Sequence, residues 1–224
     1  MTDQVYIFLA GASRGVGKEI AQVLVQRQQK IKALLRPQTD STELEAMGIE
    51  VVTGDVLDIE AVERAMMGEG KIAAVISTVG GLPKDGERAD YLGNKNLIDA
   101  AVKAGASKFI LVSSIGSGQS AIALPPQAMA TLAPVLAEKE KAEEHLIASG
   151  LTYVIVRPGG LKSEPATGNG ILTENYQIAG TIHRADVAQL VVGCLFSEVA
   201  DNKILSAVDK NMLYGNLDFE ELKL

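Results

Sequence analysis

An α/β fold, a doubly wound parallel sheet in one domain over residues 1–224, is what this sequence predicts. Apolar strand-like runs alternate with helix-period segments along the chain, and a glycine-rich turn directly follows the first run. Continuous apolar strands separated by helices imply a parallel sheet covered on both faces.

The first element is the run Val5–Ala10, which feeds into Gly11-Ala12-Ser13-Arg14-Gly15-Val16-Gly17. A helix follows, with Val16, Ile20, Val23 and Leu24 on one face. Strand, phosphate loop, helix is the order of a Rossmann-type nucleotide site. Gly11 makes the tight turn, Gly15 lets the backbone approach a pyrophosphate, and Gly17 lets the helix pack closely on the sheet. The pyrophosphate would lie over free N–H groups at the helix N-terminus.

A second strand, Ile31–Leu35, ends at Arg36. A site for NAD would place Asp or Glu there to accept hydrogen bonds from the ribose. Arg36 is instead cationic, and Arg14 adds a second positive charge inside the loop. Two guanidiniums can grip an adenosine 2′-phosphate in fork geometry, so the expected coenzyme is NADP(H) rather than NAD(H). The alternative is that both are ordinary surface charges.

Further strands are expected at 50–53, 73–77, 108–112, 153–156 and 203–207, with helices near 58–67, 87–104, 134–149 and 184–197. Ligands bind beyond the carboxyl ends of such strands. Two stretches read as irregular: 115–133, rich in Gly, Ala and Pro before a helix starting near Pro134, and 159–181. Each is either a pocket wall or a mobile surface connection.

The length suits one domain with a full core and leaves too little chain for a separate substrate domain. A net charge of −7 and a pI near 5.0 argue against a nucleic-acid surface, so an anionic coenzyme must be held by local cations. The single cysteine, Cys194, forms no internal disulfide; sharing a helical face with Val187, Leu190 and Val191, it reads as a core thiol. His145 and His183 show no ligand spacing, so no metal is expected. No leader, membrane anchor or repeat is evident, and the expected location is cytosolic. A monomer is compatible with the sequence, which fixes no oligomeric state.

Taken together, the glycine loop, Gly54-Asp55-Val56, the run from Ile110 to Ser114 and the run from Ser149 to Leu161 resemble the atypical short-chain dehydrogenases/reductases. The resemblance covers residues 4 to 209 and is greatest to the NmrA-like NAD(P)H-binding group, to which flavin and biliverdin reductases belong. It departs from that group in the first loop, where the Gly-x-x-x-Gly-x-Gly spacing is that of common short-chain dehydrogenases.

The resemblance implies a serine at the end of the fifth strand, with a tyrosine and a lysine four residues apart on the next helix. Tyr91 and Lys95 have that spacing but precede the serine strand, so they read as coincidence. On the helix from Pro134 to Ser149, Val135, Lys139, Ala142, Leu146 and Ser149 form one stripe. A lysine amid an inward stripe needs a partner, so Lys139 is similar to the family's ribose-binding lysine, unless it snorkels to solvent. Where the tyrosine belongs stands Val135, which cannot donate a proton.

The implied reaction is therefore hydride transfer to a planar conjugated small molecule, a flavin or a bilin, with Ser114 and Lys139 as the catalytic candidates. The other reading is a redox sensor or assembly factor that binds NADP(H) without turnover. Ser114 is preferred to Ser113 as the site serine because it lies nearer the carboxyl end; either hydroxyl could instead satisfy strand-end backbone groups. By resemblance, Asp55 and Val56 contact adenine, and Ser77, Thr78, Val79 and Gly80 form the wall beside the ribose. Ser113, with Pro158, Gly159 and Leu161, completes the coenzyme set near the nicotinamide. Asp186 is expected to support a helix start as a cap or dipole partner, with Arg184 its structural neighbour. His183 is either a packing group or faces the pocket.

Overall fold

The computed structural model describes residues 4–81, 88–215 and 218–224. The elements run β1 Val5–Ala10, α1 Gly15–Gln26, β2 Ile31–Leu35, α2 Thr42–Ala46, β3 Glu50–Thr53, α3 Ile59–Met66 and β4 Lys71–Ser77. They continue with α4 Leu92–Lys103, β5 Lys108–Val112, α5 Pro126–Ala148, β6 Thr152–Pro158, β7 Gly160–Lys162, β8 Gly170–Thr173, β9 Thr181–His183, α6 Arg184–Leu195 and β10 Lys203–Asp209.

The main sheet has the order β3-β2-β1-β4-β5-β6-β10-β8. All neighbours are parallel except the edge strand β8, which runs antiparallel to β10. Strand order reverses between β1 and β4, and that switch point is where such sheets open a ligand crevice.

Alternation along each strand divides the core. Ile7 and Leu9 face the layer of α1, α2 and α6, while Tyr6, Phe8 and Ala10 face α3, α4 and α5. Cys194 sits in the first layer, fully buried, and burial pushes its thiol pKa up to about 12. It is a core thiol, as expected.

Several expected boundaries move. The helix expected from Pro134 begins at Pro126 and carries Pro134 inside it. Proline is tolerated in the first turn, and the one at 134 leaves free the carbonyl of Ala130, an exposed residue that water can reach. The stretch 115–133 is therefore mostly helical, with a 3-10 helix at Gly118–Ala123 before α5. The stretch 159–181 contains β7 and β8, and the short α2 was not anticipated. The helix expected over 87–104 starts at Leu92; residue 87 lies outside the described residues.

Candidate active site

The turn after β1 is shaped by close contacts that admit only glycine. Gly11 has φ +90° and Gly15 φ +56°, in the left-handed region. A Cβ on Gly17 would stand 2.1 Å from the Gly11 carbonyl oxygen and 2.6 Å from Thr78 Oγ1. Helix α1 is thus pressed against the ends of β1 and β4. Thr78 fixes that junction: its backbone N–H donates to Ala10 O at 3.0 Å, and its hydroxyl lies 3.2 Å from both the Ala10 and Gly11 carbonyls.

No side chain caps α1; Arg14 holds the N-cap position with an extended backbone and makes no cap hydrogen bond. The first N–H groups of Gly15, Val16 and Gly17 have no partner within the helix, which is the arrangement an anion satisfies. Ser13, Arg14 and Gly15 are exposed, whereas Val16 and Gly17 are buried. Arg36 is exposed just past β2, which pairs in parallel with β1, so both arginines lie on the same rim.

Past β3, Asp55 closes a turn by accepting from Leu57 N–H at 2.9 Å. The Val56 carbonyl accepts from Asn96 Nδ2 at 2.9 Å, and a Cβ on Gly93 would meet the Val56 side chain at 2.8 Å. Helix α4 therefore holds both residues at the rim. Ser77 is fully buried, and its hydroxyl donates to Asn94 Oδ1 at 2.5 Å. Its side chain braces the segment Thr78, Val79 and Gly80 rather than facing a ligand; Asn94 Nδ2 also donates to the Val79 carbonyl at 3.3 Å.

Lys139 reaches the same segment. Its side chain is 16% exposed, and Nζ lies 3.4 Å from Oδ1 of Asp90, whose carboxylate is fully buried. A Cβ on Gly80 would meet Lys139 Nζ at 3.1 Å and Asp90 Oδ1 at 2.5 Å, so this bend also requires glycine. Asp90 accepts from Gly81 N–H and faces Arg88 Nε at 3.4 Å. The partner that an inward lysine demands is thus Asp90, which the sequence did not single out.

Lys95, of the coincidental pair, is tied to Asp99 at 2.6 Å, and Asp99 also binds His145 Nε2. Burial pushes the Asp99 carboxyl up, but the hydrogen bonds and positive charges of Lys95 and His145 together hold it below its ordinary pKa.

The two serines separate. Ser113 is buried and donates to Glu143 of α5, which also takes Arg157 of β6 in a buried ion pair. Ser114 is half-buried and donates to the Ile115 carbonyl at 2.9 Å. No hydrogen bond joins Ser114 to Lys139 among the described residues. Glu143 was missed although it stands four residues after Lys139 and three before Leu146, on the very stripe counted from the sequence.

Pro158 ends β6, and its carbonyl accepts from Ile115 N–H at 2.9 Å. A Cβ on Gly159 would lie 2.3 Å from Gly180 O, and Leu161 is exposed on β7. His183 is buried against the Pro165 carbonyl, a packing role. Asp186, expected near the helix start, is in the first turn of α6, but its carboxylate accepts from Thr167 and Gly168 N–H at 2.9 Å and makes no cap bond. Arg184 stands in the same first turn, and its Nη1 donates to Ser163 Oγ at 2.7 Å.

Residues 11–198 match the family described as NAD(P)H-binding. The chain belongs to that family. The expected coenzyme, NADP(H), agrees with this membership. Among solved structures, ChuY, an anaerobilin reductase from Escherichia coli O157:H7, matches with a TM-score of 0.84 and 32% identity, covering 94% of this chain and 100% of that one. An uncharacterized chloroplastic protein of Arabidopsis thaliana is 33% identical over 213 residues, 90% of this chain and 76% of its own length. Sanguinarine reductase from Eschscholzia californica is 28% identical, covering 88% of this chain and 86% of its own. The fold of this NAD(P)H-binding chain is accordingly reductase-like. No helix among the described residues is long and apolar enough to cross a membrane.

Proposed function

We propose that this chain is an NADPH-dependent reductase of a planar conjugated small molecule, a flavin or a bilin, working as one NAD(P)-binding unit. The observation that carries the reading is Val135: it stands four residues before Lys139, where a proton-donating phenol would have to be. Two relatives named as reductases, one of anaerobilin and one of sanguinarine, support it.

The residues present fit the coenzyme. The uncapped N-terminus of α1 and the glycine contacts leave backbone N–H groups for a pyrophosphate, and Arg14 and Arg36 supply cations for a 2′-phosphate. Asp55 and Val56 border the adenine, and Thr78, Val79 and Gly80 with Lys139 border the nicotinamide ribose. When bound, the coenzyme supplies a hydride to the acceptor. Lys139, steadied by Asp90, orients the ribose, and Pro158, Gly159 and Leu161 flank the nicotinamide. A conjugated acceptor spreads the incoming charge, and solvent supplies the matching proton. The Ser114 hydroxyl can turn from the Ile115 carbonyl to hydrogen-bond the acceptor. Positioning then does most of the catalysis.

The test is NADPH oxidation followed at 340 nm with FMN or biliverdin. Turnover above the protein-free control is expected. Tight coenzyme binding without turnover would replace this reading with the second, a non-catalytic NADP(H) sensor, which Val135 also permits. A cytosolic location is part of the proposal; the Arabidopsis relative is named as chloroplastic.

A further inference from the structure

We propose that Arg184 binds the coenzyme's pyrophosphate from beside the glycine loop, an assignment that rests on the NAD(P)H reading and adds a cation from helix α6. Gly15 is the loop residue whose backbone a pyrophosphate approaches. A Cβ built on it would find only two atoms within 4 Å, Arg184 Nε at 3.7 Å and Cδ at 3.9 Å. The Arg184 side chain therefore packs beside Gly15 at the open end of α1, where the first N–H groups lack a side-chain cap.

Its charge is unanswered. Arg88 and Arg157 each face a carboxylate, whereas Arg184, half-buried, has none within 4.0 Å among the described residues. A partly desolvated cation in an acidic chain gains most from an anion delivered to it. One arm of the fork is held by Ser163 Oγ at 2.7 Å, which aims the group and leaves Nε and Nη2 for phosphate oxygens.

A purely structural part for Arg184, tying down the loop after β7, is already filled by its neighbours. His183 binds the Pro165 carbonyl, and Asp186 accepts from Thr167 and Gly168 N–H. Pyrophosphate is common to NADPH and NADH, so this cation serves both coenzymes equally. In that it differs from Arg14 and Arg36.

The experiment is calorimetric titration of wild type, Arg184→Gln and Arg184→Lys with NADPH and with NADH. Glutamine can keep a hydrogen bond to Ser163 while removing the charge. We expect it to weaken both coenzymes about tenfold or more, with their affinity ratio unchanged, as for loss of a charge-assisted hydrogen bond. Lysine should restore part of the loss. Inorganic pyrophosphate should compete with NADPH on the wild-type chain, a measurement that needs no variant to fold. Wild-type affinity in Arg184→Gln, a loss confined to NADPH, or no competition by pyrophosphate would each overturn the assignment while coenzyme binding stands. A wild-type chain that binds neither coenzyme would overturn the reading beneath it.

Discussion

Asp90→Asn removes one charge from the pair that holds Lys139 and changes almost nothing else. The amide keeps the size of the carboxylate and can still accept from Gly81 N–H, but Lys139 and Arg88 are left facing a neutral group. Breaking a fully buried ion pair costs about 3–5 kcal/mol, and breaking an exposed one about 0–1. This cluster lies between those limits: Asp90 is 0% exposed, while Lys139 and Arg88 keep 16% and 26% of their side-chain surface. With both contacts at 3.4 Å, a loss of about 2 kcal/mol follows, which in a chain of this length lowers the melting temperature by about 4–8 °C.

The direct proof is a double-mutant cycle with Lys139→Met, read by denaturant unfolding. Coupling of about 1 kcal/mol between the two positions is expected, because each removes the other's partner. Additivity within about 0.3 kcal/mol would show that Lys139 gains nothing from Asp90, and the placement of Lys139 beside Gly80 would lose its cause. In NADPH oxidation, Asp90→Asn should act in the same direction as Lys139→Met and more weakly.

Glu143→Gln should destabilise the fold by about 3 kcal/mol, since it strands the buried Arg157, and a shift under 1 kcal/mol in urea unfolding would contradict that ion pair. Arg36→Ala should weaken NADPH much more than NADH; calorimetry showing equal loss would remove its 2′-phosphate role. Gly17→Ala puts a methyl 2.1 Å from the Gly11 carbonyl oxygen, so it should cost about 1–3 kcal/mol and abolish tight coenzyme binding, and a variant that binds normally would refute the loop geometry. Cys194 has its pKa raised by burial from 9.0 to about 12, so its contribution to stability is complete below pH 9 and is lost as pH rises toward 12. Over that window Cys194→Ala should flatten the alkaline fall in stability, and the native thiol should resist Ellman's reagent until the chain unfolds.

What the sequence reveals about such a site follows from the distance along the chain over which each part is built. The strand, turn and helix of residues 5–26 are local, and their glycines, apolar face and missing acidic residue after β2 could all be read directly. The start of α5 could not, because its first two turns are largely exposed and carry no periodic apolar face; Pro134 then resembled a start signal that Pro126 in fact supplies. Helix α2 buries only Leu44 in five residues, too short a stretch for periodicity to register.

Lys139 was recognisable as an inward cation, yet its partner Asp90 lies on another helix's approach, and no spacing rule connects them. Arg184 is further removed still, brought to Gly15 only when α6 packs on α1. Glu143 is the instructive exception, since it shares a face with Lys139 and needed only a complete count of that face. The glycine loop is thus encoded in one contiguous segment, while the contacts proposed for the ribose and for Arg184 depend on the packing of α4, α5 and α6. Destabilising those helices should therefore degrade coenzyme orientation before it degrades the glycine loop itself.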